Sequence, residues 1–309
     1  MRIVFMGTPE FAVATLRMLV ENGCEVVGVV TATDKLGGRG KQQLIQSAVK
    51  KYAVEKGLRV LQPEKLRAPE FLEELASLKA ELQVVVAFRM LPEVVWNMPP
   101  MGTINLHGSL LPKYRGAAPI NWAIMQGEKE TGLTTFFLQH EIDTGELLLQ
   151  HTLPISPDET AGELHDRMME AGAELVLKTV RVIESGQYQT KPQYNEAATH
   201  APKIFRETCL INFDQTAASA HNFVRGLSPH PSAWMLMPND GSELKILRTQ
   251  KPDGSVPHIP KGKLQPFGKN QLLLGFEDAP LEILELKPAG KKAMRTTDFL
   301  NGHRFLFEK

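Results

Sequence analysis

Only two cysteines, Cys24 and Cys209, occur in 309 residues. A disulfide framework is thereby excluded, and with no C-x-x-C pair and no H-E-x-x-H run the common zinc spacings are missing too. No metal is expected. Charge of one sign is also absent: 35 Lys and Arg face 35 Asp and Glu, so the overall basic excess typical of nucleic-acid binders is lacking. No apolar run approaches the roughly 20 residues that span a bilayer. The start, MRIVFMGTPEF, is interrupted by Gly7, Pro9 and Glu10 and reads as a first strand, not a signal peptide. With so little cysteine, a cytoplasmic location is expected. Met6-Gly7-Thr8-Pro9 offers one glycine where the dinucleotide fingerprint needs three, which disfavours NAD. Leu36 to Lys41 has the glycines of a phosphate loop, yet Gln42 stands where Ser or Thr must hold magnesium.

What is present is a soluble-type composition, 42% hydrophobic and 23% charged, long enough for two cores. Strands at Arg2–Met6, Glu25–Thr31, Arg59–Leu61, Leu82–Phe88 and Gly102–Leu106 alternate with helices at Pro9–Asn22, Ser47–Lys56 and Glu70–Leu78. That alternation predicts an α/β doubly wound, mostly parallel sheet. A helix at Pro119–Met125, two further strands in LTTFFLQ and LLLQHTLPI, and a long helix over Ala161–Ile183 complete a domain over residues 1–185. Residues 186–205 turn to Gln, Tyr, Asn, Pro and Thr without periodicity, the composition of a linker. Residues 206–309 hold a strand at Leu210–Phe213, a helix at Ala217–Leu227 and short runs from Ala233 onward, which predicts a small β-barrel. This last segment carries 14 Lys and Arg against 11 Asp and Glu, a small basic bias.

The stretch TINLHGSLLPKYRG, Thr103 to Gly116, sets Asn105 and His107 two residues apart at the end of a β-branched run. On a strand they share a face. A turn follows at once, and ligands bind at the carboxyl ends of strands in open α/β sheets. Asn105 can donate from its amide, and His107 can donate or shuttle a proton. Asp143, in a second polar cluster at Gln139 to Glu146, is the candidate partner that fixes the imidazole tautomer. Ser109 is close by, but it lies in no nucleophile elbow, so an external nucleophile fits better. Lys35, Arg39 and Lys41 form a basic loop, read either as solvated surface or as a grip for a nucleic-acid phosphate.

Asn105, His107, Ser109 to Pro112 and the downstream Asp143-Thr144-Gly145 together resemble the site signature of the 10-formyltetrahydrofolate-dependent formyltransferases. GTPEFA at Gly7 to Ala12, APKI at Ala201 to Ile204, FVRGLSPHPSAW at Phe223 to Trp234 and KPAGKKAM at Lys287 to Met294 extend the resemblance over nearly the full length. They bring it closest to family members that formylate the methionyl initiator tRNA. The resemblance implies a Rossmann-like formyltransferase domain with a mostly parallel sheet, followed by an OB-like β-barrel that binds tRNA. It also implies a cytoplasmic, monomeric one-carbon transferase of translation initiation, with 10-formyltetrahydrofolate as co-substrate. Asn105, His107 and Asp143 would be catalytic. Ser109, Leu110, Leu111 and Pro112 resemble the folate-binding segment, and the backbone of Val86, Ala87, Phe88 and Arg89 would receive the pterin. Arg39, Lys41, Lys203, Lys291, Lys292 and Arg295 would meet tRNA. Two alternatives remain at this level: transfer to a sugar amine or other small amine, and a non-catalytic RNA-binding relative. AFRMLP, at Ala87 to Pro92, departs from the family's A-Y-G-x-I-L-P, with Arg89 in place of Gly.

Overall fold

The computed structural model describes residues 1–37, 43–303 and 307. Contacts divide the chain into two compact units. The first comprises residues 1–116, 132–153 and 165–200; the second comprises 117–131, 154–164 and 201–309.

In the first unit the alternating pattern becomes β1 (Arg2–Gly7), α1 (Glu10–Glu21), β2 (Glu25–Val30), β3 (Lys35–Gly37), β4 (Gln43–Ile45), α2 (Ala48–Glu55), β5 (Val60–Leu61), α3 (Pro69–Ser77), β6 (Leu82–Val86), α4 (Glu93–Trp96) and β7 (Thr103–His107). Two-residue β8 (Arg115–Gly116) follows, then, after α5 (Pro119–Met125) of the second unit, β9 (Glu130–Phe137), β10 (Leu147–Pro154), α6 (Ala161–Glu184) and the short β11 (His200–Ala201). Seven strands form one sheet in the order β10-β9-β7-β6-β1-β2-β5. β1 is parallel to both β2 and β6, β6 is parallel to β7, and β9 runs antiparallel to β7. Strand order therefore reverses beside β1, the switch point where an open sheet leaves a crevice at its carboxyl edge. Val4, Met6, Val30 and Val85 on the strands pack against Phe71 and Leu75 of α3 and Val95 of α4. Fully buried parallel strands read as continuous apolar runs, which is why LQVVV showed no alternation.

Two expectations shift here. The β6 run stops at Val86, not Phe88, because Ala87 adopts a left-handed φ of 47° and turns the chain out of the sheet. The basic loop is flanked by the antiparallel hairpin β3–β4, where Leu36, Leu44 and Ile45 are exposed. Arg39 and Lys41 lie outside the described residues.

The second unit holds α5, α7 (Ala217–Leu227) and a six-stranded antiparallel sheet, preceded by one bridge, Leu210 to Trp234, where a strand over Leu210–Phe213 was expected. Its strands are β12 (Ala233–Leu236), β13 (Glu243–Gln250), β14 (Leu264–Phe267), β15 (Gln271–Gly275), β16 (Pro280–Pro288) and β17 (Met294–Arg295), with α8 (Thr296–His303) after them. The sheet order is β12-β13-β16-β15-β14, with β17 on β16. Val224 and Leu227 of α7, Leu244 and Ile246 of β13, Phe276 and Phe299 share one core. Asn121 donates to the Gly226 carbonyl at 2.8 Å, and a Cβ on Gly226 would meet the Met125 backbone nitrogen at 3.0 Å. Only glycine lets α5 and α7 approach this closely.

Candidate active site

β7 delivers Asn105 and His107 to the carboxyl edge of the sheet, half-buried and buried respectively. Across the antiparallel β9 they face Phe136 and Thr134. His107 is hydrogen-bonded at one ring nitrogen and faces a carboxylate with the other. Its Nε2 bonds the Tyr114 carbonyl at 2.8 Å. A carbonyl only accepts, so Nε2 carries a proton. Its Nδ1 faces the Asp143 carboxylate at 3.7 Å, too long for a hydrogen bond. Asp143 is fixed in turn by the Gly116 amide, which donates to Oδ2 at 2.9 Å. Among the described residues no protein group bonds the Asn105 side-chain amide, so it is the donor left open at this edge.

Three residues around this pair hold left-handed backbone without being glycine: Ala87 at φ 47°, Tyr114 at 59° and Asp143 at 55°. Each costs on the order of 1–2 kcal/mol. Such conformations persist only where neighbouring contacts impose them, and they gather at functional sites. The turn after Asp143 is equally constrained. A Cβ on Gly145 would lie 1.6 Å from the Phe137 carbonyl oxygen. The Asp143-Thr144-Gly145 sequence therefore has a steric reason for its third member.

Residues 109 to 112 are locked into the sheet. Thr134 Oγ1 donates to the Ser109 carbonyl at 2.7 Å and accepts from the Leu111 amide at 3.1 Å, while Gln150 donates to the Leu111 carbonyl at 2.9 Å. Ser109 is fully buried and spends its hydroxyl on the Lys113 carbonyl at 2.6 Å. Its contribution is the shape of the turn. Leu111 is buried beside Phe136 and Leu147, Leu110 and Pro112 are half-buried, and the Leu111–Pro112 bond is cis.

Val86 is buried, whereas Ala87, Phe88 and Arg89 lead out to the surface. Arg89 donates to the Glu64 carbonyl at 2.9 Å and to the Pro63 carbonyl, pinning the loop after β5. A cleft of about 500 Å³ opens here between Leu66, Arg67, Arg89, Met90, Trp96 and His140. His140, which lines this cleft, lies three residues before Asp143 in the same loop. The mixture of an indole, apolar side chains and two guanidinium groups suits a flat heterocycle with an anionic tail.

Of the basic candidates, Lys203 is exposed with its ammonium over the Phe205 ring at 5.5 Å. Lys291 and Lys292 are exposed on the β16–β17 turn, and Arg295 is exposed on β17. Among the described residues none of the four makes an ion pair. Sequence reasoning missed Tyr114, Arg115, Gln193 and Thr199, all of which touch the support of His107 and Asp143. The Tyr114 contribution is a backbone carbonyl, which no residue type announces.

A strand-end Asn and His backed by a carboxylate, on a parallel sheet followed by an antiparallel C-terminal unit, fits a one-carbon group transferase. The chain belongs to the formyl transferase family: residues 1–180 match its model, "Formyl transferase", and residues 203–304 match "Formyl transferase, C-terminal domain". A protein from Parabacteroides distasonis named methionyl-tRNA formyltransferase is 51% identical, over 100% of this chain and 97% of that protein. Its namesake from Bacteroides fragilis is 48% identical, over 98% of this chain and 95% of its own length. Among solved structures, the N-formyltransferase from Helicobacter canadensis in complex with folinic acid and dTDP-3-aminofucose has a TM-score of 0.68 at 21% identity. The match covers 91% of this chain and 98% of that one, and it is a likeness of fold.

Proposed function

We propose that this formyl transferase moves the formyl group of 10-formyltetrahydrofolate to the α-amino group of methionyl initiator tRNA, giving N-formylmethionyl-tRNA for translation initiation. The observation that carries this reading is the full-length identity of about half to proteins of that name, joined to an open Asn105 amide beside a His107–Asp143 pair. The folate supplies an activated formyl carbon. The methionine amine, once it has lost a proton, attacks that carbon; a new C–N bond forms, the formyl oxygen becomes an oxyanion, and the bond to N10 then breaks as N10 gains a proton.

Asn105 stabilises the oxyanion by donating from its amide. His107 has Nε2 committed to Tyr114, so its Nδ1 and Asp143 handle the proton passing from amine to leaving group. Leu110 to Pro112 and the backbone from Val86 to Arg89 line the donor side, Ser109 by shaping the turn. In functional terms residues 1–185 form the catalytic domain, 186–205 connect, and 206–309 form a barrel that binds tRNA. Arg39, Lys41, Lys203, Lys291 and Lys292 contact its phosphates. The enzyme works in the cytoplasm as a monomer.

One assay tests this: purified protein, 10-formyltetrahydrofolate, and methionyl initiator tRNA, methionyl elongator tRNA or a nucleotide-linked amino sugar as acceptor. Formylmethionine ester on the initiator alone is expected. Formylation of the sugar and not the tRNA would replace this reading with that of a sugar formyltransferase.

A further inference from the structure

We propose that Gln193 is a positioning residue for the proposed reaction, and that the stretch from Thr190 to Thr199 is a brace holding both partners of the His107 ring. Gln193 lies in the segment whose composition suggests a mere connection. Its side-chain amide donates to the Asp143 carbonyl at 2.9 Å and to the Gly145 carbonyl at 2.8 Å. Its Oε1 accepts from Arg115 Nε at 3.1 Å and Nη2 at 2.8 Å. Both donors and both acceptor positions of one amide are thus used. Arg115 is buried and is steadied on its other side by Asn195 Oδ1 at 2.9 Å.

The arrangement ties together the two chain segments that flank His107. Gln193 pulls the strained Asp143 turn inward. Arg115 adjoins Tyr114, whose amide donates to Thr199 Oγ1 at 2.9 Å, and its own amide donates to the Thr199 carbonyl at 2.9 Å. Thr190 and Lys191 extend the same stitching, to the Glu146 carboxylate at 2.5 Å and to the Leu147 backbone. Tyr114 and Asp143 are the groups that face Nε2 and Nδ1, and each sits in left-handed backbone that needs an outside restraint. Gln193 supplies that restraint to the carboxylate without touching it. Its action is on geometry, where displacement by about 1 Å lowers a rate by about 10².

The discriminating variant is Gln193→Glu, which keeps the acceptor for Arg115 but turns an acceptor toward the Asp143 and Gly145 carbonyls. Gln193→Ala serves as the second variant should the first fail to fold. The inference rests on the proposed formylation, so two readouts are taken on the full-length protein. In steady-state formylation of methionyl initiator tRNA, kcat of either variant is expected to fall roughly 10- to 100-fold while KM for the folate changes less than threefold. By ¹⁵N NMR, the His107 ring signals of the variant are expected to shift from those of the wild type. A wild type inactive on tRNA would overturn the proposed function and leave the ring signals to decide this inference. Wild-type kcat with unmoved His107 signals would overturn the brace, and so would equal losses in kcat and folding with unmoved signals.

Discussion

The Asn105 amide, which no group among the described residues uses, ends a strand beside a His107 whose Nε2 is already bonded to Tyr114, and it is expected to be the most sensitive to substitution. Asn105→Ala is expected to lower kcat by about 10² to 10³, the cost of one oxyanion donor, with KM for the folate nearly unchanged. Asn105→Asp, isosteric but unable to donate when ionised, should be no better; steady-state formylation at saturating folate checks both, and near-normal kcat in either would remove Asn105 from the chemistry. His107→Ala is expected to lose a comparable factor with little loss of tRNA binding, measured by filter retention. The spacing of Asn105 and His107 was legible because period two puts them on one face. Asp143 was legible as a carboxylate in a polar cluster between two strand-like runs, where it could partner His107. Tyr114 was not, because a backbone carbonyl is the same in every residue, and Gln193 was not, because fifty residues separate it from the carboxylate it restrains.

Helix α6 shows what one turn of capping does. Thr160 Oγ1 accepts from the Glu163 amide at 3.3 Å, and Glu163 returns by accepting from the Thr160 amide at 2.8 Å, a reciprocal pair at the helix start. Burial pushes the Glu163 carboxyl up, but the bonds from Thr160 and Arg248 outweigh it and hold the group below its ordinary value. A carboxyl lowered by folding stabilises the fold above that ordinary value and loses the contribution as pH falls through the folded one. Glu163→Gln should therefore melt below the wild type at pH 7, with the gap closing as pH drops below about 4.5. Thermal melts across pH 3 to 7 test this; a gap constant with pH would assign the loss to packing. The helical spacing over Ala161–Ile183 was legible in the sequence, whereas its cap was not read from it. Short elements were not: Leu210–Phe213 has strand composition but only Leu210 pairs, and β3–β4 is too brief for periodicity to register.

At the scale of the molecule, sequence position and spatial grouping part company. Residues 117–131 and 154–164 precede the connecting stretch yet pack with residues 201–309. There the buried Arg225 guanidinium donates to the Ser156 and Glu159 carbonyls at 3.3 and 3.0 Å. Expressed alone, residues 201–309 would leave that charge with Asn222 as its remaining partner, at a cost of about 1.5–3 kcal/mol per lost bond. The fragment is expected to melt several degrees below the corresponding transition of the full chain by scanning calorimetry. An unchanged transition would mean that the earlier segments contribute nothing. Composition shift near residue 186 marked a change in the chain, but contact across a hundred residues leaves no local trace. The brace at Thr190 to Thr199 carries this into time. Asn105, His107 and Asp143 leave the ribosome before α6 and well before Gln193, and a nascent chain folds from its amino end. Under the roles proposed above, the growing polypeptide carries Asn105, His107 and Asp143 through that interval without the Gln193 brace, so full activity is expected only once about two thirds of the protein has been made.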